Sequence, residues 1–298
     1  MKTTVSLPRL TVTGGRGRLA QVIRQNLESK SRNYVSLSRS ESDEHLALES
    51  LFEPSLLART DVLLHLAWST LPVTSEQQPG AEWETDLPLL AKLLRSITSA
   101  SLQTRPHLIF FSSGGAVYGP AESNRPAVEE DECAPIGWYG QGKMAAERLI
   151  REFGERHGLA YTILRVSNPY GYPAPHHKLQ GIIPFLIESA RQGRQFNVWG
   201  DGTARKDFLH YTDFLTALEL VIAQKPQGTF NLSHGESHTI AEVIALIETA
   251  TGQVISTHHQ PAHAWDVHDS ILNNQKLCAS LEWSPSTSLA QGIDQFVG

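Results

Sequence analysis

The chain has 298 residues, 40% of them hydrophobic, with a formal net charge of −6 at pH 7. This length can bury the core of one large α/β domain, or of a main domain with a smaller one. The charge and the lack of basic runs argue against nucleic acid or a membrane surface as a partner, and no apolar run is long enough to cross a bilayer. With two cysteines and no metal-ligand spacing, we expect a soluble, cytoplasmic protein without a disulfide framework or a metal site.

Up to residue 168, short apolar runs alternate with longer segments of helical period. Strands are predicted at 10–13, 33–38, 61–67, 107–113 and 161–167, and helices at about 17–28, 82–101 and 138–157. Buried strands that alternate with helices predict an α/β fold with a doubly wound parallel sheet. In such a sheet, ligands bind beyond the carboxyl ends of the strands.

The turn after the first predicted strand is rich in glycine. It reads TVTGGRGRLAQVI, and Gly14, Gly17 and Ala20 are spaced three apart. Small residues let the backbone turn tightly and approach a pyrophosphate, which then rests on the N-terminus of the next helix. Between a strand and a helix, this pattern favours a dinucleotide site over an ordinary turn.

The end of the second predicted strand indicates which dinucleotide binds. Ser38 stands where a carboxylate would accept hydrogen bonds from a free ribose, and Arg39 follows it. Arg16 lies in the glycine turn near the same ribose. Two guanidinium groups without a carboxylate favour NADP(H), and NAD(H) remains possible if both arginines are only solvated surface residues.

Tyr139 and Lys143 open the helix predicted at 138–157. A tyrosine has a pKa of about 10, and a nearby ammonium group lowers it toward the range of a general acid or base. Four-residue spacing places both side chains on one helix face. Such pairs also arise by chance, so the pair by itself is only suggestive. The acidic run 129–132 before it is expected to be a solvated loop.

The alternating pattern changes after residue 168. A segment rich in proline and glycine, 168–181, precedes predicted helices at 182–193 and 239–252, the second with Thr239 as its cap. We therefore expect an NAD(P)-binding domain at 1–168, to which 206–224 returns, and a smaller substrate-binding lobe at 169–298.

Taken together and in order, the motifs resemble those of the extended short-chain dehydrogenase/reductase superfamily, in its NAD-dependent epimerase/dehydratase family. The motifs are TGGRGRLA (13–20), HLAW (65–68), SSGGAVYG (112–119), YGQGK (139–143), LRVSNPYG (164–171), GDGTARKDF (200–208) and LEWSPSTSLAQGI (281–293). The resemblance runs nearly end to end. It implies a Rossmann-type domain with a C-terminal substrate lobe, a nucleotide-diphosphate-sugar substrate, and a homodimer built from helices 82–101 and 138–157.

The resemblance also implies roles for individual residues. Tyr139 corresponds to the general acid/base, and Lys143 to its partner that binds the ribose. Asn168 corresponds to the asparagine that contacts the diphosphate region of the sugar nucleotide. The implied cofactor-binding residues are Gly14, Arg16, Gly17, Ser38, Arg39, Leu66, Ala67, Tyr139 and Lys143.

Several positions depart from the family pattern. Gly114 stands where a serine or threonine usually bonds the reacting hydroxyl; either Ser113 replaces it, or Tyr139 works with less help. Lys206, next to Arg205, and His263 stand where arginines usually bind the substrate phosphates. Asp86 lies near a family asparagine, and an ordinary exposed helix residue is an equally simple interpretation.

The dehydratases of the family carry an Asp-Glu pair where this chain has Gly115 and Ala116. The acid and base for eliminating water are therefore missing. Hydride transfer alone remains, either as epimerisation or as net reduction of a keto-sugar. Two alternatives stay open: an oxidoreductase that acts on a non-nucleotide carbonyl, and a non-catalytic NAD(P)-binding regulator on the same fold. Such regulators generally lose the Tyr–Lys pair, which is present here.

Overall fold

The computed structural model describes residues 7–99, 102, 104–120, 125–172 and 180–298. The chain divides into two compact units. Of the described residues, those within 1–112, 141–164 and 218–229 form unit 1, and those within 113–140, 165–217 and 230–298 form unit 2. The predicted assignment of cofactor and substrate binding to separate domains remains a prediction.

The strands are short and most of them are rich in β-branched or aromatic residues. In the described part of the chain they are β1 Leu10–Thr13, β2 Tyr34–Ser38, β3 Leu46–Ala47, β4 Val62–His65, β5 His107–Ser113, β6 Tyr161–Val166, β7 Asn168–Tyr170, β8 Phe196–Trp199, β9 Arg205–His210, β10 Gly228–Leu232, β11 Ser237–Thr239, β12 Thr257–Gln260 and β13 Asp269–Ser270. The helices are α1 Arg18–Ser29, α2 Pro54–Leu57, α3 Pro72–Gln77, α4 Leu87–Ile97, α5 Gly114–Val117, α6 Trp138–His157, α7 Ile182–Gln192, α8 Tyr211–Gln224, α9 Ile240–Thr251, α10 Gln275–Leu281 and α11 Leu289–Val297. Over the described ranges, none of these helices has both the length and the apolar character needed to cross a membrane.

A seven-stranded sheet has the order β10-β6-β5-β4-β1-β2-β3. Strand β1 pairs in parallel with both β2 and β4, so that Leu10 lies opposite Tyr34 on one side and Val62 on the other. The strand order therefore reverses beside β1, and ligands of such sheets bind at this point. The arrangement is a Rossmann-type α/β fold, which confirms the predicted fold class.

The core of unit 1 forms where helix residues pack on apolar strand residues. It contains Leu37, Leu63, Leu90, Leu94, Leu108, Phe110, Ala146, Ile150 and Ile163, among others. Helix α6 has the predicted bounds. The segment predicted as helical at about 82–101 is helical from Glu82 to Ile97, and its first part is a π-helical segment at Glu82–Asp86 that precedes α4. Pro88 lacks the backbone N–H that would continue the α-helical ladder, and the N–H of Leu87 donates instead to the carbonyl of Glu82. Residues 100 and 101 lie outside the described ranges.

Unit 2 contains two small sheets. One has the order β11-β9-β13, with β7 also paired to β9, and the other pairs β12 with β8. Its separate core includes Tyr170, Ile183, Leu186, Phe208, Val243, Ile247, Leu289 and Ile293. The prediction of Thr239 as a cap is confirmed, because its hydroxyl accepts from the Glu242 N–H and the Glu242 carboxylate accepts from the Thr239 N–H.

The acidic run 129–132 is a loop, as predicted, and Glu130 and Glu132 are exposed, but Glu129 and Asp131 are half-buried and bonded to other protein groups. The Glu129 carboxylate accepts from the N–H of Asn231 at 2.7 Å. Asp131 forms an ion pair with Arg125 at 2.7 Å. Asn231 is distant in sequence from Glu129, whereas Arg125 lies only six residues before Asp131. The charges in the sequence did not show that either carboxylate has such a partner.

Candidate active site

The glycine turn lies at the carboxyl end of β1 and packs against the segment that follows β4. Gly14 has a φ of +72°, and a Cβ atom there would lie 2.8 Å from the N of Ala67 and 2.9 Å from the C of Leu66. Glycine is therefore required both for the turn and for this close approach. The structure thus brings together Gly14, Leu66 and Ala67, three of the residues predicted to bind the cofactor.

Two buried polar residues, Thr13 and His65, lie next to the contact between Gly14 and Ala67. The Thr13 hydroxyl lies 2.9 Å from Nδ1 of His65 and accepts from the Ala67 N–H at 3.2 Å. Burial lowers the pKa of His65 to about 3, so the imidazole is neutral at ordinary pH. Sequence reasoning missed Thr13 and His65, although both stand inside quoted motifs.

A second glycine in the turn, Gly15, leaves room for the side chains of Ser36 and His45. A Cβ atom at Gly15 would lie 2.1 Å from Oγ of Ser36 and 2.9 Å from Nδ1 of His45. The buried Arg24 donates to the Gly15 carbonyl at 3.3 Å and to the Glu44 carboxylate at 3.0 Å. These contacts hold the turn from its protein side. The doubled glycine was the only signal in the sequence that pointed to them.

At the N-terminus of α1, the structure offers polar groups without protein partners. Gly17 caps the helix without a side-chain bond, and the first turn contains no acidic residue. One guanidinium nitrogen of Arg18 is buried and has no hydrogen-bond partner among the described residues. An uncapped helix start with a neighbouring cation fits the pyrophosphate of a dinucleotide.

The residues that were predicted to bind the ribose lie in unit 1: Arg16 in the turn itself, and Ser38 and Arg39 directly after Leu37, whose carbonyl accepts from the Gly15 N–H at 3.0 Å. Ser38 is buried, and its hydroxyl donates to the carbonyl of Ser40. Arg16 and Arg39 are exposed. The nearby carboxylate of Glu44 is paired with Arg24.

Lys143 is buried in unit 1, on the second turn of α6. Its Nζ donates to the Phe111 carbonyl at 2.9 Å and lies 3.9 Å from the centre of the Trp68 ring. Burial lowers the pKa of Lys143 to about 7, and nearby carboxylates oppose that shift. Because α6 begins at Trp138, Tyr139 and Lys143 lie one helical turn apart on the same face.

Asp86 is one of the carboxylates beside Lys143. It is buried and accepts from the N–H of Ser69 at 2.9 Å and from its hydroxyl at 2.6 Å. Burial raises the pKa of Asp86. The interpretation of Asp86 as an ordinary exposed helix residue is therefore wrong: the π-helical segment that ends at this residue turns its side chain inward.

In unit 2, Gly114 lies under an apolar side chain. A Cβ atom at Gly114 would lie 2.3 Å from Cδ1 of Leu272. Ser113 precedes it as the N-cap residue of α5. Both line or adjoin a unit 2 cavity of about 380 Å³, whose walls include Gly114, Tyr118, Arg125, Asp131, Ser270 and Leu272. The buried hydroxyl of Ser270 has no partner among the residues that the structure describes.

The residues that were predicted to bind phosphate all lie in unit 2, and each contacts other protein groups. Asn168 donates to the Asp207 carbonyl at 2.8 Å. The Arg205 guanidinium donates to the hydroxyl and carbonyl of Ser237 at 3.0 and 2.8 Å. Lys206 forms a 2.9 Å ion pair with Asp266.

His263 belongs to an aromatic stack. Its ring centre lies 4.2 Å from that of Trp199 and 4.7 Å from that of Trp265. The imidazole therefore presents its edge, rather than a face, to any ligand.

A family model covers most of this architecture. The model of the NAD dependent epimerase/dehydratase family matches residues 10–233, which include the glycine turn, α6 and β9. The chain belongs to the NAD dependent epimerase/dehydratase family.

The chain is similar to enzymes of nucleotide sugars and to a protein solved with a nucleotide sugar bound. The chain is 29% identical over 192 residues to dTDP-4-dehydro-6-deoxyglucose reductase of Escherichia coli, covering 64% of this chain and 60% of that enzyme. The solved structure of UDP-glucose 4-epimerase from Thermotoga maritima, with UDP-glucose, superposes with a TM-score of 0.86 at 25% identity and covers 97% of both chains. MoeE5 in complex with UDP-glucose and NAD gives a TM-score of 0.85 at 25% identity, again over 97% of both chains.

The structure explains why this chain has a glycine at position 114, where the family usually has a serine or threonine. The space that a serine or threonine side chain would enter is filled by Leu272, so the missing hydroxyl and the leucine form a matched pair. The lysine at 206 is likewise matched by a carboxylate, Asp266, which neutralises it.

Proposed function

We propose that the protein is a nicotinamide-dependent enzyme that acts on a nucleotide-diphosphate sugar, as an epimerase or a 4-keto-sugar reductase. One observation carries the proposal: a buried lysine lies one turn after a tyrosine on α6, in a chain whose first strand ends in an intact glycine turn. A structural surface helix has no reason to desolvate an ammonium group, which costs several kcal/mol unless it is compensated. Functional sites are where such costs are found.

In this mechanism the chain's own residues move and hold a proton. The Tyr139 hydroxyl transfers a proton to or from the reacting sugar oxygen, and the Lys143 ammonium stabilises the phenolate form. A bound nicotinamide would supply or accept the hydride. The α1 N-terminus with Arg18, and the Gly14–Ala67 contact, would hold the dinucleotide.

Elimination of water is not part of the proposed reaction. Gly115 and Ala116 supply no acid or base, and the hydroxyl of Ser270 lies 3.4 Å from the Cβ position of Gly115, inside unit 2. The relatives with epimerase and reductase activity both need hydride transfer, and this is the chemistry that the Tyr–Lys pair serves.

For the cofactor we propose NADP(H) over NAD(H). The support is electrostatic: Arg16 in the glycine turn and Arg39 after β2 are exposed, and the carboxylate of Glu44, which acts on Arg16, is held by Arg24. One charge-assisted bond is worth roughly 1.5–3 kcal/mol, which corresponds to about tenfold or more in affinity. Calorimetric titration of both cofactors tests this proposal. Ser38→Asp with Arg39→Ala is expected to invert the preference, and equal affinities in the wild type would contradict it.

For the substrate we propose that Asn168, Arg205, Lys206 and His263 contact the diphosphate, and that Ser113 takes the place of the missing hydroxyl at Gly114. Cationic and edge-on donors suit an anionic ligand, although a lysine holds a phosphate as a point charge without the paired geometry of an arginine. The identities of the sugar and base are left to the assay.

We also propose a homodimer. Trp83 is 41% exposed, and Leu87, Met144 and Leu149 are only partly buried, so unit 1 retains apolar surface on α6 and on the segment from the π-helical turn into α4. Sedimentation at micromolar concentration is expected to show a dimer, and a monomer would contradict the proposal.

The decisive test of the function is substitution of the proton donor. Tyr139→Phe removes one hydroxyl, so turnover of UDP-glucose or a dTDP-4-keto-sugar is expected to fall by roughly a thousandfold while cofactor affinity is retained. Tyr161→Phe, a partly buried tyrosine of β6, is the matched control. Full activity in Tyr139→Phe would rule out the mechanism. A wild type that binds the dinucleotide but converts no carbonyl would favour the regulator, and conversion of non-nucleotide carbonyls alone would favour the other oxidoreductase.

A further inference from the structure

Glu82 is a fully buried carboxylate in the π-helical segment of unit 1, with 0% exposure. Its Oε1 accepts hydrogen bonds from the hydroxyls of Thr70 and Ser75. Its Oε2 is buried and has no donor among the residues that the structure describes. Burying a charged group without enough hydrogen-bond donors lowers the stability of the folded state. A role for the Glu82 carboxylate would explain why it is buried here.

The side chain of Glu82 occupies space that a glycine provides. A Cβ atom at Gly142 would lie 2.7 Å from Cγ of Glu82 and 3.3 Å from Cζ2 of Trp68. Gly142 directly precedes Lys143, and the Lys143 Nζ lies over that same Trp68 ring at 3.9 Å. The missing side chain at Gly142 therefore admits a carboxylate beside the lysine.

Three buried carboxylates act on Lys143, and they differ in how far other groups neutralise them. Both oxygens of Asp86 are bound by Ser69. Glu147 accepts from Ser112 at 2.6 Å and forms a 3.0 Å ion pair with Arg151, so its charge is already compensated. Among the described residues, Glu82 is bound at Oε1 alone, by the neutral hydroxyls of Thr70 and Ser75.

We propose that Glu82 is a positioning residue for Lys143: its incompletely compensated carboxylate, admitted by Gly142, keeps the buried lysine in its ammonium form. The inference deepens the proposed function, on which it rests for the role of Lys143 as the partner of Tyr139. Burial pulls the pKa of Lys143 down to about 7; Asp86 opposes this shift most, followed by Glu147 and then Glu82. Two further titratable groups lie near the lysine in the described part of the chain: His65, which is neutral at ordinary pH and adds no charge, and Tyr139, one helical turn before it on α6.

The test measures the titration of Lys143 directly. Protein labelled with ¹³C at lysine Cε is titrated by NMR, and the Lys143 resonance is assigned by its absence in Lys143→Arg. Glu82→Gln removes the charge and keeps the shape, so the Lys143 midpoint is expected to fall by about half a pH unit or more. Glu84→Gln, an exposed residue on the same π-helical segment, is the matched control and should leave the midpoint unchanged.

A structural role alone would lower stability in Glu82→Gln without moving the Lys143 midpoint, and an unmoved midpoint overturns the proposal. Ser75→Ala keeps the carboxylate and removes one of its donors, so the midpoint is expected to rise. If Glu82→Gln does not fold, the titration of Lys143 in Ser75→Ala is the test. A Lys143 midpoint that is unchanged or lowered in this variant overturns the proposal.

Activity gives the second readout and separates this inference from the proposed function. As pH rises, activity that needs the ammonium form is lost, so the alkaline limb of the kcat/KM profile should move to lower pH in Glu82→Gln. A shifted NMR midpoint in a protein that converts no nucleotide sugar would overturn the proposed function and leave the coupling of Glu82 to Lys143 standing.

Discussion

The glycine turn of unit 1 and the polar residues of unit 2 were both predicted from sequence motifs. In the structure the first makes contacts through its backbone, and the second make hydrogen bonds and ion pairs through their side chains. In unit 1, Gly14, Leu66 and Ala67 meet through backbone atoms. In unit 2, Arg205 and Lys206 have side-chain bonds to Ser237 and Asp266. A site built from backbone atoms takes its shape from the strands and the turn that carry it. A site built from side chains depends also on which neighbouring polar groups bond to those side chains.

The groups whose pKa is shifted most in the acid range should respond to acid in opposite directions in the two units, and this is the largest effect that we expect. In unit 1, burial lowers the pKa of His65 to about 3 and of His107 to about 4. The unfolded chain then binds more protons below pH 6.5, so each histidine costs roughly 2–3 kcal/mol of stability between pH 7 and pH 4.5.

In unit 2, burial raises the pKa of Asp207 to about 6. The folded state binds the extra proton at Asp207 between pH 6 and 4, so protonation of this carboxyl is stabilising. Hydrogen exchange at pH 4.5, corrected for intrinsic rates, is expected to show unit 1 losing protection before unit 2. His107→Gln should reduce the loss in unit 1, and simultaneous loss in both units would contradict the comparison.

Gly14→Ala tests the backbone site. The alanine would need a positive φ and would push its Cβ into the Ala67 backbone, so a loss of about 3 kcal/mol is expected by urea unfolding. Gly80→Ala is the matched control, since Gly80 has a φ of +87° and no atom within 4 Å of its Cβ position. It should cost about 1 kcal/mol. Equal losses would show that the close approach is unimportant.

Gly114→Ser tests the matched pair in unit 2. The new Cβ would lie 2.3 Å from Cδ1 of Leu272, and we expect a loss of about 2 kcal/mol. Leu272→Ala opens a cavity and costs about 2–5 kcal/mol by itself. The double variant should lose at least about 1 kcal/mol less than the sum of the two, as measured in a double-mutant cycle. Additive losses would mean that the two residues are not a pair.

Lys206→Ala should give the smallest effect. If Lys206 contacts the substrate phosphates, the Kd of the nucleotide sugar rises by about tenfold, which is about 1.4 kcal/mol. Arg205→Ala is expected to change that Kd less, because both of its described bonds go to Ser237. Lys276→Ala, whose partner is the exposed Glu130, is the control. Equal effects of Lys206→Ala and Lys276→Ala on the Kd would remove Lys206 from the proposed site.

The sequence by itself determined the features that depend on neighbours along the chain. Strands β1 and β5, helix α6, the glycine turn and the Thr239 cap all match their predictions, since periodicity, glycine spacing and a capping box act within a few residues. The four-residue spacing of Tyr139 and Lys143 within α6 is a local feature of the same kind.

Only the tertiary structure decided which groups those elements meet. The Leu272 side chain over Gly114, Asp266 beside Lys206, and the entry of Glu82 next to Gly142 join residues that are 60 or more positions apart. Such contacts depend on the packing of several elements at once. Charge and burial at these positions are therefore properties of the folded chain, and no local pattern in the sequence records them.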